Sequence, residues 1–237
     1  MSFFKRLMRF RIRTILILMV VCAFLFTLCN WRLSWYREQA QLASEIRKHA
    51  IHVEMQPGTP SWLAPFAQKE SFASIKSVSF QNQKKLEDDD LQLFRKTPHL
   101  RVLSLHGTNL TNDGMKHLSG LEVLDTLSLK FTNISDDGLG HLSGLNNLVK
   151  LQLSDSKISG LGLKHLAGMR KLQHLELRNL EIIDEDLKHL EPLQDLRYLH
   201  LESRNLDGSG LASINKLKKL KTLLFRCYEF DTVVLRD

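Results

Sequence analysis

Hydrophobic and polar residues repeat along much of the chain with a period of 24 residues. Six units begin with a leucine at this spacing: Leu100, Leu124, Leu148, Leu172, Leu196 and Leu220. Within one unit, Leu127 and Leu129 flank a polar residue, and this alternation predicts a strand with both leucines on one face. Leu139, Leu142 and Leu145 then follow at intervals of three, which predicts a short helix. Each unit therefore combines a strand, a turn, a short helix and a segment that leads back to the next strand.

A period of roughly twenty to thirty residues is typical of a solenoid. Its units must stack, because one unit cannot bury its own leucines. Stacked strands lie about 4.8 Å apart, whereas helices are about 10 Å wide, so the helix layer must be the longer, convex one. The pattern therefore predicts an α/β solenoid shaped as a curved horseshoe, with parallel strands on the concave side and short helices on the convex side.

The residues after the strand identify the type of repeat. Thr132, Ile134, Asp136 and Gly138 complete the pattern L-x-x-L-x-L-x-x-T-x-I-x-D-x-G-L, which resembles the leucine-rich repeat family in its D-x-G-L subtype. The resemblance covers residues 100–225 and implies a parallel-stranded scaffold for binding. The order of basic N-terminus, hydrophobic segment, stalk and repeats also resembles the membrane-anchored leucine-rich repeat proteins of bacteria.

A hydrophobic segment precedes the repeats. Residues 14–29 carry no charge, and Arg13 can extend its side chain to the lipid headgroups on one side. An aromatic belt on the other side lengthens the usable span to residue 33. It consists of Trp31, Trp35 and Tyr36. Because no A-x-A cleavage site follows, the sequence predicts an uncleaved transmembrane helix, a signal-anchor, over residues 14–33; a cleaved signal peptide is the alternative.

The positive charge is concentrated beside this segment. Residues 1–50 contain nine Lys or Arg and two acidic residues, and this net charge of +7 equals that of the whole chain. The remainder is formally neutral, whereas a nucleic-acid-binding domain concentrates its basic residues on the folded surface. Nucleic acid is therefore not an expected partner. Five basic residues precede the span, which predicts a cytoplasmic N-terminus and an extracytoplasmic repeat domain.

The chain divides into six predicted parts. They are a basic cytoplasmic tail (1–13), the transmembrane helix (14–33), a helical stalk (34–50), an N-terminal cap with an imperfect first repeat (51–98), the leucine-rich repeats (99–225) and a C-terminal edge (226–237). In the stalk, Leu42 and Ile46 form only a narrow apolar stripe. We therefore expect a helix that holds the domain off the membrane rather than a dimerising coil.

Both ends of the solenoid need a cover for the leucine layer. At the N-terminal end, alternation at Ile51, Val53 and Met55 predicts an edge strand. Ile75, Val78 and Phe80 continue the repeat pattern at a step of 25 residues, and Trp62, Leu63 and Phe66 are candidate cap residues. After the last repeat, a tail containing Tyr228 and Phe230 either folds back as a minimal cap or leaves an apolar edge for a partner.

Recurring polar residues have structural explanations. The histidines are spaced by 24 residues on successive helices, about 10 Å apart, too far for one metal ion. They are His117, His141, His165 and His189. Asn112, Asp136 and Asp184 are predicted to be helix N-caps or turn formers, and Thr108, Thr132 and Ser156 to bond the backbone of the turn. Outside the span, Cys227 stands alone. The sequence predicts no catalytic, metal or cofactor site, and no enzyme.

The outward positions of the strands vary from unit to unit, unlike the leucines. Aromatic and long polar side chains gather in the last three units, where we expect a protein-binding surface. The candidates are His174, Glu176, Arg178, Tyr198, His200, Glu202 and Arg226. The sequence thus favours a membrane-tethered, non-enzymatic module that binds a protein or envelope partner. A structural envelope element that self-associates through its C-terminal edge is the alternative, followed by an enzyme or metal sensor that uses the histidines.

Overall fold

The computed structural model describes the backbone of residues 2–57, 73–227 and 233–236, and the side chains of residues 17, 19–56 and 74–227. The candidate cap residues Trp62, Leu63 and Phe66 lie outside these ranges, as do Tyr228 and Phe230 of the tail.

The described strands form one sheet of nine strands that follow one another in chain order. They are β1 (His52–Pro57), β2 (Ala73–Ser79), β3 (Val102–Ser104), β4 (Thr126–Ser128), β5 (Lys150–Gln152), β6 (His174–Arg178), β7 (Tyr198–Glu202), β8 (Thr222–Arg226) and β9 (Val233–Arg236). Strands β2 to β8 are parallel, and the two end strands pair antiparallel with their neighbours. The predicted α/β solenoid with parallel strands is confirmed.

The pairing of the strands has the register of the sequence repeat. Leu127 of β4 lies opposite Leu103 of β3 and Leu151 of β5, each 24 residues away. Val78 of β2 pairs with Leu103 at the step of 25 residues expected for the first repeat. At the other end, β9 pairs with β8, so the tail folds back onto the last repeat strand.

The strand leucines lie in a continuous core between the sheet and the convex layer. Leu127, Leu151 and Leu175, for example, are fully buried. Burying one such side chain stabilises the fold by about 1.5–3 kcal/mol. Repetition of the same buried columns therefore makes each repeat depend on its neighbours for stability.

The convex layer consists of short helical segments of one to three turns. They are Asp88–Lys96, Asn112–Met115, Lys116–Leu118, Asp136–Gly140, Gly160–Leu166, Asp184–Leu190 and Leu211–Ile214, several of them 3₁₀ helices. Leu142 and Leu145 are fully buried although the helix of their repeat ends at Gly140. The chain must return to the next strand within 24 residues, which leaves little room for a longer helix. The spacing thus predicted the buried face correctly but overestimated the helix length.

The predicted N-cap residues have a different role. Asp136 is the first helical residue of its segment, one position after the N-cap Ser135, and its side chain reaches the following repeat. Its Oδ1 accepts from Ser159 N at 2.8 Å, and its Oδ2 accepts from Ser159 Oγ at 2.7 Å. The contact recurs along the solenoid. Asp88 accepts from Thr111 N, Asn112 from Ser135 N and Asp184 from Asp207 N, at 2.8–3.0 Å. These side chains therefore link the helix starts of successive repeats, and we call this series the helix-start ladder.

One step of the ladder is missing, because the repeat that should supply it has Gly160 instead of an acid or amide. There, Asp186 Oδ2 accepts from Ile183 N of its own repeat at 3.0 Å. A Cβ added to Gly160 would collide with this carboxylate. In the first repeat, Asp90 Oδ2 likewise accepts from Glu87 N at 2.9 Å. The N–H at the helix start is therefore bonded in each of these repeats, across the interface or within the unit.

The turn after the strand contains two recurrent features. The predicted backbone contacts of the Thr/Ser column are present, since Thr108, Thr132 and Ser156 donate to the carbonyl three residues earlier at 2.7–2.8 Å. A second column, not predicted, adopts positive φ. Its members are Asn82, Gly107, Phe131, Asp155 and Asn179.

The N-terminal helix α1 (Ser2–Ile46) is continuous over 45 residues. Its C-terminal turns pack on the first repeat through a buried stripe: Tyr36, Gln39, Leu42, Ala43 and Ile46. Gln39 Nε2 donates to Lys96 O at 2.7 Å, at the end of the first convex helix. The segment predicted as a helical stalk thus packs on the N-terminal repeat instead of only holding the domain off the membrane. Helical spacing in the sequence identified only Leu42 and Ile46, because Gln39 and Ala43 are not recognisable as core residues by residue type.

Among the described side chains, no helical stretch combines the length and the apolar character needed to cross a membrane. Thr14, Ile15, Leu16 and Leu18 of the predicted span lie outside these side chains. The described part of the span exposes its large apolar residues. They are Ile17, Met19, Val20, Val21, Phe24, Leu25, Phe26, Leu28 and Trp31.

Candidate functional site

The structure places the seven candidate residues on three adjacent strands of the sheet. His174, Glu176 and Arg178 lie on β6, Tyr198, His200 and Glu202 on β7, and Arg226 on β8. On β6 and β7 they alternate with fully buried leucines and are half-buried themselves. The strands pair directly, with Glu176 opposite His200 and Arg178 opposite Glu202. The candidates therefore form one continuous surface on the outward face of the sheet.

Glu176 is held by contacts from three directions. Its Oε2 lies 2.6 Å from Lys130 Nζ, which follows β4 two strands away, and its side chain is 12% exposed. Gln152 Nε2 on β5 donates to Glu176 Oε1 at 2.6 Å, and His174 Nε2 lies 3.0 Å from the same oxygen. Burial raises the pKa of Glu176, but hydrogen bonds from Lys130, His174 and Gln152 outweigh it and lower the pKa to about 2. Glu176 is therefore ionised and fixed in place at neutral pH.

Glu202 has a similar arrangement on the next strand. Its Oε2 accepts from Arg178 Nε at 3.1 Å, and its Oε1 lies 3.5 Å from Arg226 Nη1. Burial raises the pKa of Glu202, but the hydrogen bond and charge of Arg178 and the charge of Arg226 lower it overall. Each contact joins neighbouring strands, so three repeats are linked through one carboxylate.

Two rings cover the centre of this surface. The rings of His174 and Tyr198 are stacked, with centroids 4.1 Å apart and planes within 3° of each other. Burial and the charge of Glu176 raise the pKa of Tyr198, so its hydroxyl stays protonated. Burial, followed by the charge of Arg178, lowers the pKa of His200, so this ring is neutral at pH 7. The surface thus presents a flat aromatic pair beside fixed charges.

Sequence reasoning missed that Lys130 and Gln152 belong to this network. Lys130 lies two strands before β6 and Gln152 one strand before it, and only the stacking of the strands brings them to Glu176. The outward positions from β4 to β8 carry four basic residues and two acidic ones, and both acidic residues are already paired. The basic residues are Lys130, Lys150, Arg178 and Arg226. The surface therefore has an excess of positive charge.

A cavity of about 460 Å³ lies beside the turns that follow β5, β6 and β7. Its polar lining includes Lys157, Asn179, Glu181 and Arg204. Leu180 and Arg204 interrupt the Thr/Ser column in the sequence, and this irregularity was the available signal that the later turns differ.

The histidine column lies on the convex side. His117 Nδ1 lies 3.0 Å from Arg95 Nη2 of the preceding repeat. Over the part of the chain that the structure describes, no group of three or more His, Cys, Asp or Glu side chains is arranged to hold a metal ion.

The family comparison agrees with this geometry. Residues 123–182 match the family model described as leucine rich repeat. This match agrees with the leucine-rich repeat pattern predicted from the sequence.

Two solved structures are similar to the chain. One is internalin C2 from Listeria monocytogenes strain 4b F2365, with 24% identity, a TM-score of 0.46, and coverage of 66% of this chain and 76% of that one. The other is an internalin, inlF, from the same strain, with 20% identity, a TM-score of 0.46, and coverage of 70% and 52% respectively. The comparison with curated proteins found no match.

Proposed function

We propose that this protein is a membrane-tethered, non-enzymatic leucine-rich repeat module that binds a protein partner through the outward face of β6 to β8. The observation that carries the proposal is the pair of carboxylates, Glu176 and Glu202, each fixed by side chains from neighbouring repeats. Contacts of this kind hold a surface in one shape before binding, which lowers the entropy cost of association.

The composition of this surface supports protein binding. Residues that dominate binding energy at interfaces are enriched in Tyr and Arg, and they cluster at the centre of the contact. Tyr198 is stacked on His174, and Arg178 reaches across to Glu202 on the adjacent strand. The core beneath this face is leucine, and the polar groups above it vary between repeats, so the outward face can be specific without altering the fold.

Helix α1 supports the tether. Its described residues between Ile17 and Trp31 expose large apolar side chains, which are costly in water and favourable in lipid. The uncharged segment begins before them, at Thr14, and is preceded by five basic residues. We propose that residues 14–33 form an uncleaved anchor with a cytoplasmic N-terminus, so that the repeats lie outside the cytoplasm.

The self-association alternative is less favoured. The edge of β8 is paired with β9, so a second copy would have to add to β9 rather than to the last repeat strand. β9 is a short edge strand of four residues, and a short edge offers few backbone groups for pairing with another chain.

Proximity labelling with the full chain in its native membrane, followed by titration of an identified partner, tests the proposal. Tyr198→Ala and Arg178→Ala should each weaken binding by about 2 kcal/mol if these residues are central. The matched control replaces His141 and His165 on the convex side by Gln and should leave binding unchanged. Loss of binding from the histidine pair, but not from the concave pair, would move the site to the helix side.

A further inference from the structure

Two departures from ordinary protein structure coincide where β4 and β5 end. Phe131 has a positive φ of 54° and is 55% exposed. Ser154 is 1% exposed, and among the described side chains its Oγ is the buried polar atom without a hydrogen-bond partner. Phe131 N donates to Ser154 O at 3.0 Å, so the two residues are neighbours on adjacent repeats.

The fold does not explain the aromatic side chain at Phe131. The equivalent positions of the other repeats with positive φ hold Asn82, Gly107, Asp155 and Asn179, which are the residue types that adopt this conformation at low cost. A bulky side chain is strained there, and Phe131 is not part of the leucine core. It makes instead a T-shaped contact with the ring of His106, with ring centroids 5.2 Å apart. Strain of this kind is characteristic of functional positions.

The fold does not explain the hydroxyl of Ser154 either. Leu153 points into the core, so alternation directs Ser154 to the concave side, where the strand register places it between Lys130 and Arg178. A buried hydroxyl without a partner is unfavourable, and such groups are rare in folded proteins. A ligand oxygen that reaches Ser154 Oγ beside Lys130, whose ammonium group has further donors besides its contact with Glu176, would supply the missing hydrogen bond.

We propose that Phe131, His106, Lys130 and Ser154, which we call the Phe131 patch, anchor an extended acidic segment of the protein partner. An apolar side chain of that segment packs on Phe131, and a neighbouring carboxylate accepts hydrogen bonds from Ser154 and Lys130. The excess of basic residues on the outward face from β4 to β8 selects an acidic segment. This inference rests on the proposed function and extends the contact surface from β6 back across three strands, to His106 after β3.

A library of random linear peptides displayed on phage, selected against the full chain in detergent, provides a defined probe. Enriched peptides should carry Asp or Glu beside a large apolar residue. Phe131→Asn should weaken their binding about tenfold or more. The same substitution should raise Tm by about 2 °C, because Asn tolerates positive φ better than Phe does. The matched control is Leu161→Asn, which removes another exposed apolar side chain, 66% exposed, and should leave binding unchanged.

The outcomes separate this inference from the proposed function. Peptides that respond to Tyr198→Ala but not to Phe131→Asn would overturn the Phe131 patch and leave the proposed surface intact. Peptides that respond to neither variant would overturn both. A selection that enriches no acidic peptide, or a fall in Tm with Phe131→Asn, would also overturn the inference, since Phe131 would then serve the fold.

Discussion

The helix-start ladder and the concave face both join neighbouring repeats through carboxylates, but they do so in opposite ways. In the ladder, the same kind of residue makes the same contact again and again, as Asp88 and Asp136 do with the backbone N–H of Thr111 and Ser159. On the concave face, Glu176 has a set of partners that no other repeat reproduces.

The difference separates residues that serve the fold from those available for function. A contact that recurs at most steps follows from the stacking of equivalent units and stabilises the interfaces where it occurs in the same way. A contact made once needs a separate explanation, since the repeat fold forms without it in the other units. Two perturbations test this division, and a third, at a fully buried position, sets the upper end of the scale.

Leu151→Asp should have the largest effect. Leu151 is fully buried on β5 between Leu127 and Leu175, and the substitution would bury an unpaired charge. We expect a loss of more than about 4 kcal/mol in the free energy of unfolding, measured by urea denaturation. Lys150→Ala, on the half-exposed neighbouring position, is the control and should change it by less than about 0.5 kcal/mol. Equal losses would show that the strand register is wrong by one residue.

Acid should weaken the concave network selectively. The pKa of Glu176 is about 2 in the folded chain, below its ordinary value of 4.5, so its contribution is complete above pH 4.5 and is lost as the pH falls towards 2. At pH 7, Glu176→Gln should reduce the free energy of unfolding by about 2 kcal/mol, and the difference should vanish near pH 2. Urea denaturation of both proteins across this range measures it. A difference independent of pH would mean that the charge of Glu176 is not what stabilises the network.

One hydrogen-bonded step of the helix-start ladder should contribute less to the free energy of unfolding. Asp136→Ala removes both hydrogen bonds to Ser159 and should cost about 1–2 kcal/mol in thermal or urea unfolding. Asp136→Asn should recover much of this loss, because Asn112 fills the equivalent position with an amide and still accepts from Ser135 N. The exposed neighbour Asp137→Ala is the control, with almost no expected change. If Asp137 proved as important as Asp136, the ladder would not be the source of the stability.

The repeated part of the fold could be predicted because its signal is local. The alternation of Leu127 and Leu129 with polar residues predicts a strand. The fixed period predicts that each leucine lies opposite the equivalent leucines of the neighbouring repeats. Asp136 was predicted at the N-cap of its helix, but it lies one position later, at the first helical residue. A residue at the first helical position and one at the N-cap look alike in sequence, and only the stacked neighbour shows which N–H the carboxylate bonds.

The candidate site was predictable only in outline. Strand alternation identifies Glu176 and Tyr198 as outward-facing, but the partners of Glu176 come from two other strands, and their side-chain lengths decide which of them meet. Phe131 gave no periodic signal, because the residues of its column share a backbone conformation rather than a chemical type. A periodic pattern gives little information about the residues that depart from it.

The continuous α1 helix also determines how the solenoid is mounted. A flexible linker lets a domain sample all orientations within its reach, whereas a helix extends by about 1.5 Å per residue in one direction. No Gly or Pro occurs from Thr14 to Ile46, and the last turns of α1 are locked into the first repeat by Leu42, Ile46 and Gln39. Because the last turns of the helix pack on the first repeat, a tilt or rotation of these turns changes the direction in which the concave face points.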